Sequence, residues 1–237
     1  HLAAVERSLV ARGLRPLELL HACGALDESA LLAHATLLTP REMGLLRDSG
    51  AAVAYNPVAS AWKGNAVLDA GVIAMLGVPF GLGTDGTRAD GFGLMDGAET
   101  TQRLTHGLAN GDSSCGGGWL WLDHATHGGA HAAGLGAVTG RIAPGLAADF
   151  LLVDLDVPEF MPSWDLSWEL VRYANRDQIR AVYVNGAMRL WQGWPVDWDA
   201  RALMRQVAEI ARRDVQRAPI QRVHPVADAH RARQRRG

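Results

Sequence analysis

The chain has 237 residues, 48% of them hydrophobic and 20% charged. That is enough to bury a core in one large or two small domains, and too apolar for low-complexity disorder over most of its length. No run of eighteen apolar residues marks a membrane span. Two cysteines, Cys23 and Cys115, are too few for a disulfide scaffold or a Cys-rich zinc module, and the net charge of −2 argues against a dedicated nucleic-acid binder.

The chain opens on His1 with no signal peptide, and the expectation is a piece whose N-terminal part is missing. Residues 4–22 read as a helix broken near Gly13 and Pro16, and residues 30–36 as a short buried strand. Thr39-Pro40-Arg41-Glu42 predicts a helix start: an N-cap, a proline at the first helical position and a capping-box glutamate, with Gly50 as the stop. Ala51–Tyr55 predicts a second strand ending at Asn56-Pro57. Residues 65–76 predict a helix and Val78–Gly83 a third strand ending at Thr84-Asp85-Gly86. This alternation predicts a parallel sheet with crossover helices, and in a barrel of that kind the site lies where the strands end.

The second half predicts helices at about 95–109 and 119–134, separated by the flexible run Cys115-Gly116-Gly117-Gly118. A strand follows at 148–154. Ile179–Val184 and Ala187–Trp191, joined by Asn185-Gly186, predict a hairpin. A last helix at about 198–216 leads into a basic tail. Residues 201–237 carry 10 Arg against 3 acids, read as a solvated, frayed terminus.

His34 and Asp85 are the strongest chemical pair, because both stand at strand ends and both bind metals or move protons. Read alone, Asp85 also suits an Asp-Gly turn and His34 a hydrogen-bonded core histidine. His124, His127 and His131 fall near one helical face, but Gly128 and Gly129 weaken a metal reading in favour of an exposed face. The tryptophans Trp164, Trp168, Trp191, Trp194 and Trp198 are read as packing, and His21, His106, His224 and His230 as surface or helix positions.

Leu82-Gly83-Thr84-Asp85-Gly86 resembles the last-strand signature of the amidohydrolase superfamily, in its cytosine/guanine deaminase and chlorohydrolase-like branch. Leu32-Ala33-His34-Ala35 resembles the sixth-strand histidine motif, about fifty residues earlier. Asn56-Pro57 with Lys63-Gly64-Asn65 resembles the seventh-strand loop. Gly129–Gly136 followed by Thr139–Phe150 resembles the return into a β-sandwich domain, and Val182–Gly186 its closing hairpin.

The resemblance covers nearly residues 1–195. It implies an α/β fold: the C-terminal half of a TIM-like (β/α)8 metal-dependent hydrolase barrel plus part of a small β-sandwich. The implied boundaries are 1–135 for barrel strands five to eight, 136–195 for the sandwich segment and 196–237 for the helix and basic tail. It also implies one divalent metal ion, zinc or iron, with His1 and Asp85 as ligands. His34 would polarise the substrate or hold the attacking hydroxide, and Asp85 would shuttle the proton. The implied reaction is deamination of a nitrogen heterocycle by metal-activated water.

Trp62, Arg88 and Asp90 are candidate loop contacts to a small-molecule substrate. Neither nucleic acid nor membrane is expected as a partner, homo-oligomerisation is left open, and the setting is read as cytoplasmic. Two departures stand out. Ala4 occupies the position where that branch carries a proton-donating Glu, with Glu6 nearby but out of register, and no His-x-His occurs in the chain. They keep two alternatives in view: a chlorohydrolase or cyclic-amide hydrolase of the same superfamily, and a non-catalytic remnant of the fold. They also lead to the expectation that residues 1–237 alone are inactive.

Overall fold

The computed structural model describes residues 2–86, 89–115 and 117–218. It divides into two units, His1–Gly193 and Trp194–Gly237.

The first unit begins with two helices, α1 (Leu2–Arg12) and α2 (Pro16–Ala22), broken where Gly13 takes a positive φ and Pro16 restarts the turn. Three strands follow, alternating with helices: β1 (Leu31–Ala33), α3 (Pro40–Ser49), β2 (Ala52–Tyr55), α4 (Pro57–Trp62), α5 (Ala70–Met75) and β3 (Phe80–Leu82). The strands pair in parallel in the order β1-β2-β3. That is the arrangement the alternation predicted.

Helix α3 forms for the expected reasons. Thr39 Oγ1 accepts from Glu42 N, the Glu42 carboxylate accepts from Thr39 N at 2.9 Å, and Gly50 ends the helix at φ 73°. The predicted helix over 65–76 is confined to α5, with Asp69 as its cap. Helix α4 starts directly where β2 was expected to end, at Asn56-Pro57: Pro57 needs no backbone donor in a first helical turn.

Beyond the sheet come α6 (Gly91–Gln102), a π-helical turn (Arg103–Gly107), α7 (Leu108–Asn110), α8 (Gly117–Ala125) and α9 (His127–Ala132). Thr126, at φ −124° and ψ −96°, separates α8 from α9, so the single helix expected over 119–134 is two. The chain then forms β4 (Phe150–Val153), α10 (Leu166–Arg172), β5 (Ile179–Val184) and β6 (Ala187–Trp191). Strands β4, β5 and β6 pair antiparallel. The β5–β6 connection is the predicted hairpin, with Asn185 and Gly186 both at positive φ.

The core lies on one face of the parallel sheet. Val53, Tyr55 and Phe80 point into it and are at most 1% exposed, packed with Leu46, Ile73, Ala98, Trp121 and Val171. Tyr55 meets the Phe80 ring edge-on at 6.3 Å and the Trp121 ring at 6.2 Å. On the opposite face the strands carry small residues. A Cβ on Gly81 would come within 2.7 Å of Gly129 Cα, so α9 crosses β3 at near backbone contact.

A buried polar network braces this core. Gln102, 1% exposed, accepts from Ala70 N at 2.9 Å and donates to Tyr55 Oη and Leu68 O, both at 2.7 Å. It thereby ties β2, α5 and α6 together.

One histidine expectation is refined and another corrected. His106 is a helix position, as read, but a buried one: it lies in the π-helical turn with Nδ1 2.9 Å from Asp69 Oδ1. His124 lies flat on the Phe80 ring at 3.6 Å and makes a hydrogen bond from Nδ1 to Phe80 O at 2.8 Å, so it is a packing residue rather than part of an exposed face. Most of the tryptophans read as packing are exposed, Trp164 at 88%, and the fully buried indole is Trp121.

The second unit holds a two-residue strand, β7 (Trp194–Pro195), and α11 (Ala200–Arg217), capped by Asp199 on Ala202 N. The Arg201 guanidinium sits over the Trp194 ring at 4.3 Å.

Candidate active site

Four side chains converge where the parallel strands end. His34 directly follows β1, and its N–H donates to Ala54 O at 2.9 Å, which carries the β1–β2 ladder one residue past the strand. Asp85 lies three residues beyond β3. Ser60 belongs to α4, and Lys63 is that helix's C-cap. Thus β1 and β3 supply the pair singled out from sequence, and the segment after β2 supplies two residues that were not.

The backbone at these strand ends is unusual. His34, Ala35 and Leu37 have φ of 68°, 45° and 61°, and Asp85 has φ of 51°. Left-handed backbone at non-glycine residues costs of order 1 kcal/mol or more each and persists where the surroundings fix it. Here it aims both side chains across the strand ends.

His34 Nε2 lies 3.5 Å from Asp85 Oδ2. Lys63 Nζ donates to the same oxygen at 2.9 Å, and Gly86 N donates to Oδ1. The Lys63 hydrogen bond first, then the Gly86 N–H, hold the Asp85 carboxyl below the usual carboxylate range, so it is ionised at neutral pH. On the other side of the imidazole, Ser60 Oγ is 3.2 Å from His34 Nδ1. Ser60 is buried, at 2% exposure, whereas the side chains of His34, Asp85 and Lys63 are partly open at 36%, 27% and 39%. Asn56, at the end of β2, is buried between them, and its Oδ1 fills the space a Cβ on Gly83 would need.

The pair has the chemistry of proton transfer and of metal ligation, with His34 Nε2 and Asp85 Oδ2 3.5 Å apart. Catalytic zinc sites use about three protein ligands, and among the described residues no group of three His, Cys, Asp or Glu converges. A metal here would need donors from beyond the described residues, and the Lys63 ammonium lies on the Asp85 oxygen nearest His34.

The other site candidates fall apart from this cluster or outside the description. His1 and Arg88 lie outside the described residues. Trp62 is next to Lys63 and 66% exposed. Asp90 caps α6, accepting from Gly93 N at 3.2 Å, so the local fold already accounts for an aspartate there. Lys63 and Ser60 were missed as site residues because their partners are 22 and 26 positions away. The sequence signal that could have found them is Pro57, which starts the helix that carries them across the strand ends.

A parallel sheet whose strand ends carry a histidine and an aspartate within reach of one another places acid–base chemistry where α/β enzymes carry their sites. The sequence pattern of the Amidohydrolase family matches residues 2–189. The chain belongs to this family. It is 34% identical over 203 residues to the 5-methylthioadenosine/S-adenosylhomocysteine deaminase of Nitratidesulfovibrio vulgaris strain Miyazaki F, covering 84% of this chain and 45% of that protein. The deaminase of the same name from Natronomonas pharaonis is 30% identical over 207 residues, with 87% and 48% covered.

Among solved structures, an adenosine deaminase from Xanthomonas campestris with bound zinc superimposes with a TM-score of 0.84 at 28% identity, over 89% of this chain and 48% of that one. The zinc-complexed atrazine chlorohydrolase of Arthrobacter aurescens, at 23% identity and a TM-score of 0.77 over 87% of this chain and 46% of that one, shares the fold. The chain spans about half the length of the relatives it matches.

Proposed function

We propose that the protein carrying this chain is a metal-dependent hydrolase acting on carbon–nitrogen bonds, an aminohydrolase of a nitrogen heterocycle. The observation that carries this is the His34–Asp85 pair at the ends of two parallel strands, 3.5 Å apart, in a chain whose relatives include deaminases of adenine nucleosides. One divalent metal, zinc or iron, is expected, with Asp85 and His1 as ligands and donors from beyond the described residues completing the site. When bound, such an ion supplies water of lowered pKa.

This chain's own residues would do the following. Asp85, ionised at neutral pH, accepts the proton that water loses on attacking the ring carbon, and returns it to the departing nitrogen. His34 donates a hydrogen bond to the oxygen that becomes negative in the tetrahedral centre. Ammonia leaves and a ring carbonyl remains. Trp62, Arg88 and Asp90 are proposed substrate contacts, Trp62 offering an exposed aromatic ring. Among the described residues no helix is long and apolar enough to cross a membrane, and we place the enzyme in the cytoplasm acting on a small molecule.

Ala4, standing where the branch carries a proton-donating Glu, supports a second reading: release of chloride or another group that needs no protonation by that residue. The test is elemental analysis of the parent protein purified without added metal, followed by a panel of aminopurine nucleosides and halogenated or amino-substituted triazines read for ammonia and chloride. About one zinc or iron per chain with ammonia release is the expected outcome. Chloride release alone selects the second reading, and a metal-free protein inert on the whole panel refutes both.

A further inference from the structure

The segment after β2 supplies a partner to each member of the strand-end pair: Lys63 to Asp85 and Ser60 to His34. The Lys63 contact is a salt bridge at a partly open position. The Ser60 contact is of another kind. Ser60 is 2% exposed, and its backbone N–H and C=O are used by Asn56 O and Asn65 N. Among the described residues its hydroxyl meets one polar partner, His34 Nδ1.

A buried hydroxyl with one acceptor in reach donates its proton there, because an unshared donor away from water is costly. An imidazole that accepts at Nδ1 and is neutral carries its hydrogen at Nε2. Nε2 is the nitrogen that faces the Asp85 carboxylate, 3.5 Å away. The opposite tautomer would set a bare nitrogen lone pair against carboxylate oxygens and leave Ser60 Oγ–H without an acceptor. Both neighbours of His34 therefore select the same form.

We propose that Ser60 is a positioning residue that fixes His34 as the Nε2–H tautomer, so that the imidazole presents a hydrogen-bond donor to the reacting oxygen. This deepens the hydrolase reading and rests on it for the donor's catalytic use. The tautomer itself does not depend on that reading. The same partner also fixes the ring's rotation. With Ser60 gone, the Asp85 carboxylate alone draws the proton, to whichever ring nitrogen faces it, and the ring is free to turn about χ2.

The experiment is two-bond proton–nitrogen correlation NMR of the chain labelled with 15N-histidine, with His34 assigned by the signal lost in H34Q. The expected spectrum shows His34 as the Nε2–H form in the wild type and as an interconverting mixture in S60A. In the parent enzyme S60A lowers kcat about 10–100-fold, the range for losing a partner that orients a site histidine, with KM within about threefold. A mere packing role would move the melting temperature and not this split. His34 found as the Nδ1–H form in the wild type overturns the proposal. So does an S60A chain in which both the tautomer and kcat are unchanged. If S60A does not fold, the wild-type spectrum alone still decides. A parent that turns over no substrate defeats the hydrolase reading and not the tautomer.

Discussion

Replacing Gln102 by leucine tests how the core holds the sheet in register with the helices behind it. The side chain keeps nearly its volume, so no cavity opens, and what disappears is hydrogen bonding. Gln102 Oε1 takes Ala70 N at 2.9 Å and Gly71 N at 3.3 Å, and Nε2 gives to Leu68 O and Tyr55 Oη at 2.7 Å each. Tyr55 Oη keeps Thr101 Oγ1 at 2.9 Å, so it is not orphaned. Ala70 N and Leu68 O keep one another, at 3.0 Å, while Gly71 N loses the side-chain acceptor it meets at 3.3 Å. Counting one unsatisfied donor at about 1–3 kcal/mol and the remaining lost bonds at about 0.5–1 kcal/mol each, Q102L should lose about 2–4 kcal/mol. For a chain of this size that is a melting temperature lower by roughly 4–16 °C.

The assay is urea unfolding of wild type, Q102L, Y55F and the double variant, followed by the chain's tryptophan fluorescence. Because Gln102 and Tyr55 share a hydrogen bond, their costs should fall short of additivity by about 1 kcal/mol. A Q102L loss below 1 kcal/mol, or strict additivity with Y55F, refutes the reasoning.

Three further outcomes are expected. G81A, which forces a methyl to 2.7 Å from Gly129 Cα, should destabilise the chain by about 1–3 kcal/mol, while G77A, where the added carbon meets open space but φ is 71°, should cost about 1 kcal/mol; equal losses would put the effect in the backbone rather than in the contact. Burial holds His124 below the usual histidine pKa of 6.5, so the unfolded chain takes up that proton first. Stability is then undiminished above pH 6.5 and falls as the pH drops below it, levelling off under the folded pKa. Urea midpoints from pH 8 to pH 5 should fall more steeply for wild type than for H124F, and parallel profiles would contradict this. In the parent enzyme D85N should reduce kcat by about 10²–10⁴, the range for a removed proton acceptor; turnover within tenfold of wild type would remove Asp85 from the chemistry.

What the sequence revealed and what it hid follows from the range of the interactions. Helix α3 was legible end to end because Thr39, Pro40, Glu42 and Gly50 act on their own neighbours. The hairpin at Asn185-Gly186 was legible for the same reason. Helix α4 went unread because Asn-Pro both ends strands and starts helices, and only the strand end, which is there, was taken from it. Helix α10 was missed although Asp165 caps it on Trp168 N, because the tryptophans around it drew the reading toward packing. His106 was read as a surface or helix position; that it is buried against Asp69 was not legible, because Asp69 is 37 positions away. At the strand ends, His34 and Asp85 were paired by type and position, and the fold brings them to 3.5 Å. Their partners came only with the fold, because which loop crosses which strand end is a property of the sheet.

The left-handed run at 34, 35 and 37 constrains how this gene can drift. At Ala35 and Leu37 most side chains are equally strained, glycine and asparagine relieve the strain, and valine, isoleucine or threonine deepen it. Variant libraries selected for abundance alone should therefore enrich glycine and asparagine at these two positions. Libraries selected for turnover should instead retain residues that hold the loop stiff and His34 aimed. The positions where the two selections diverge would mark, without any assay of chemistry, how far along the loop the active site extends its demand for rigidity.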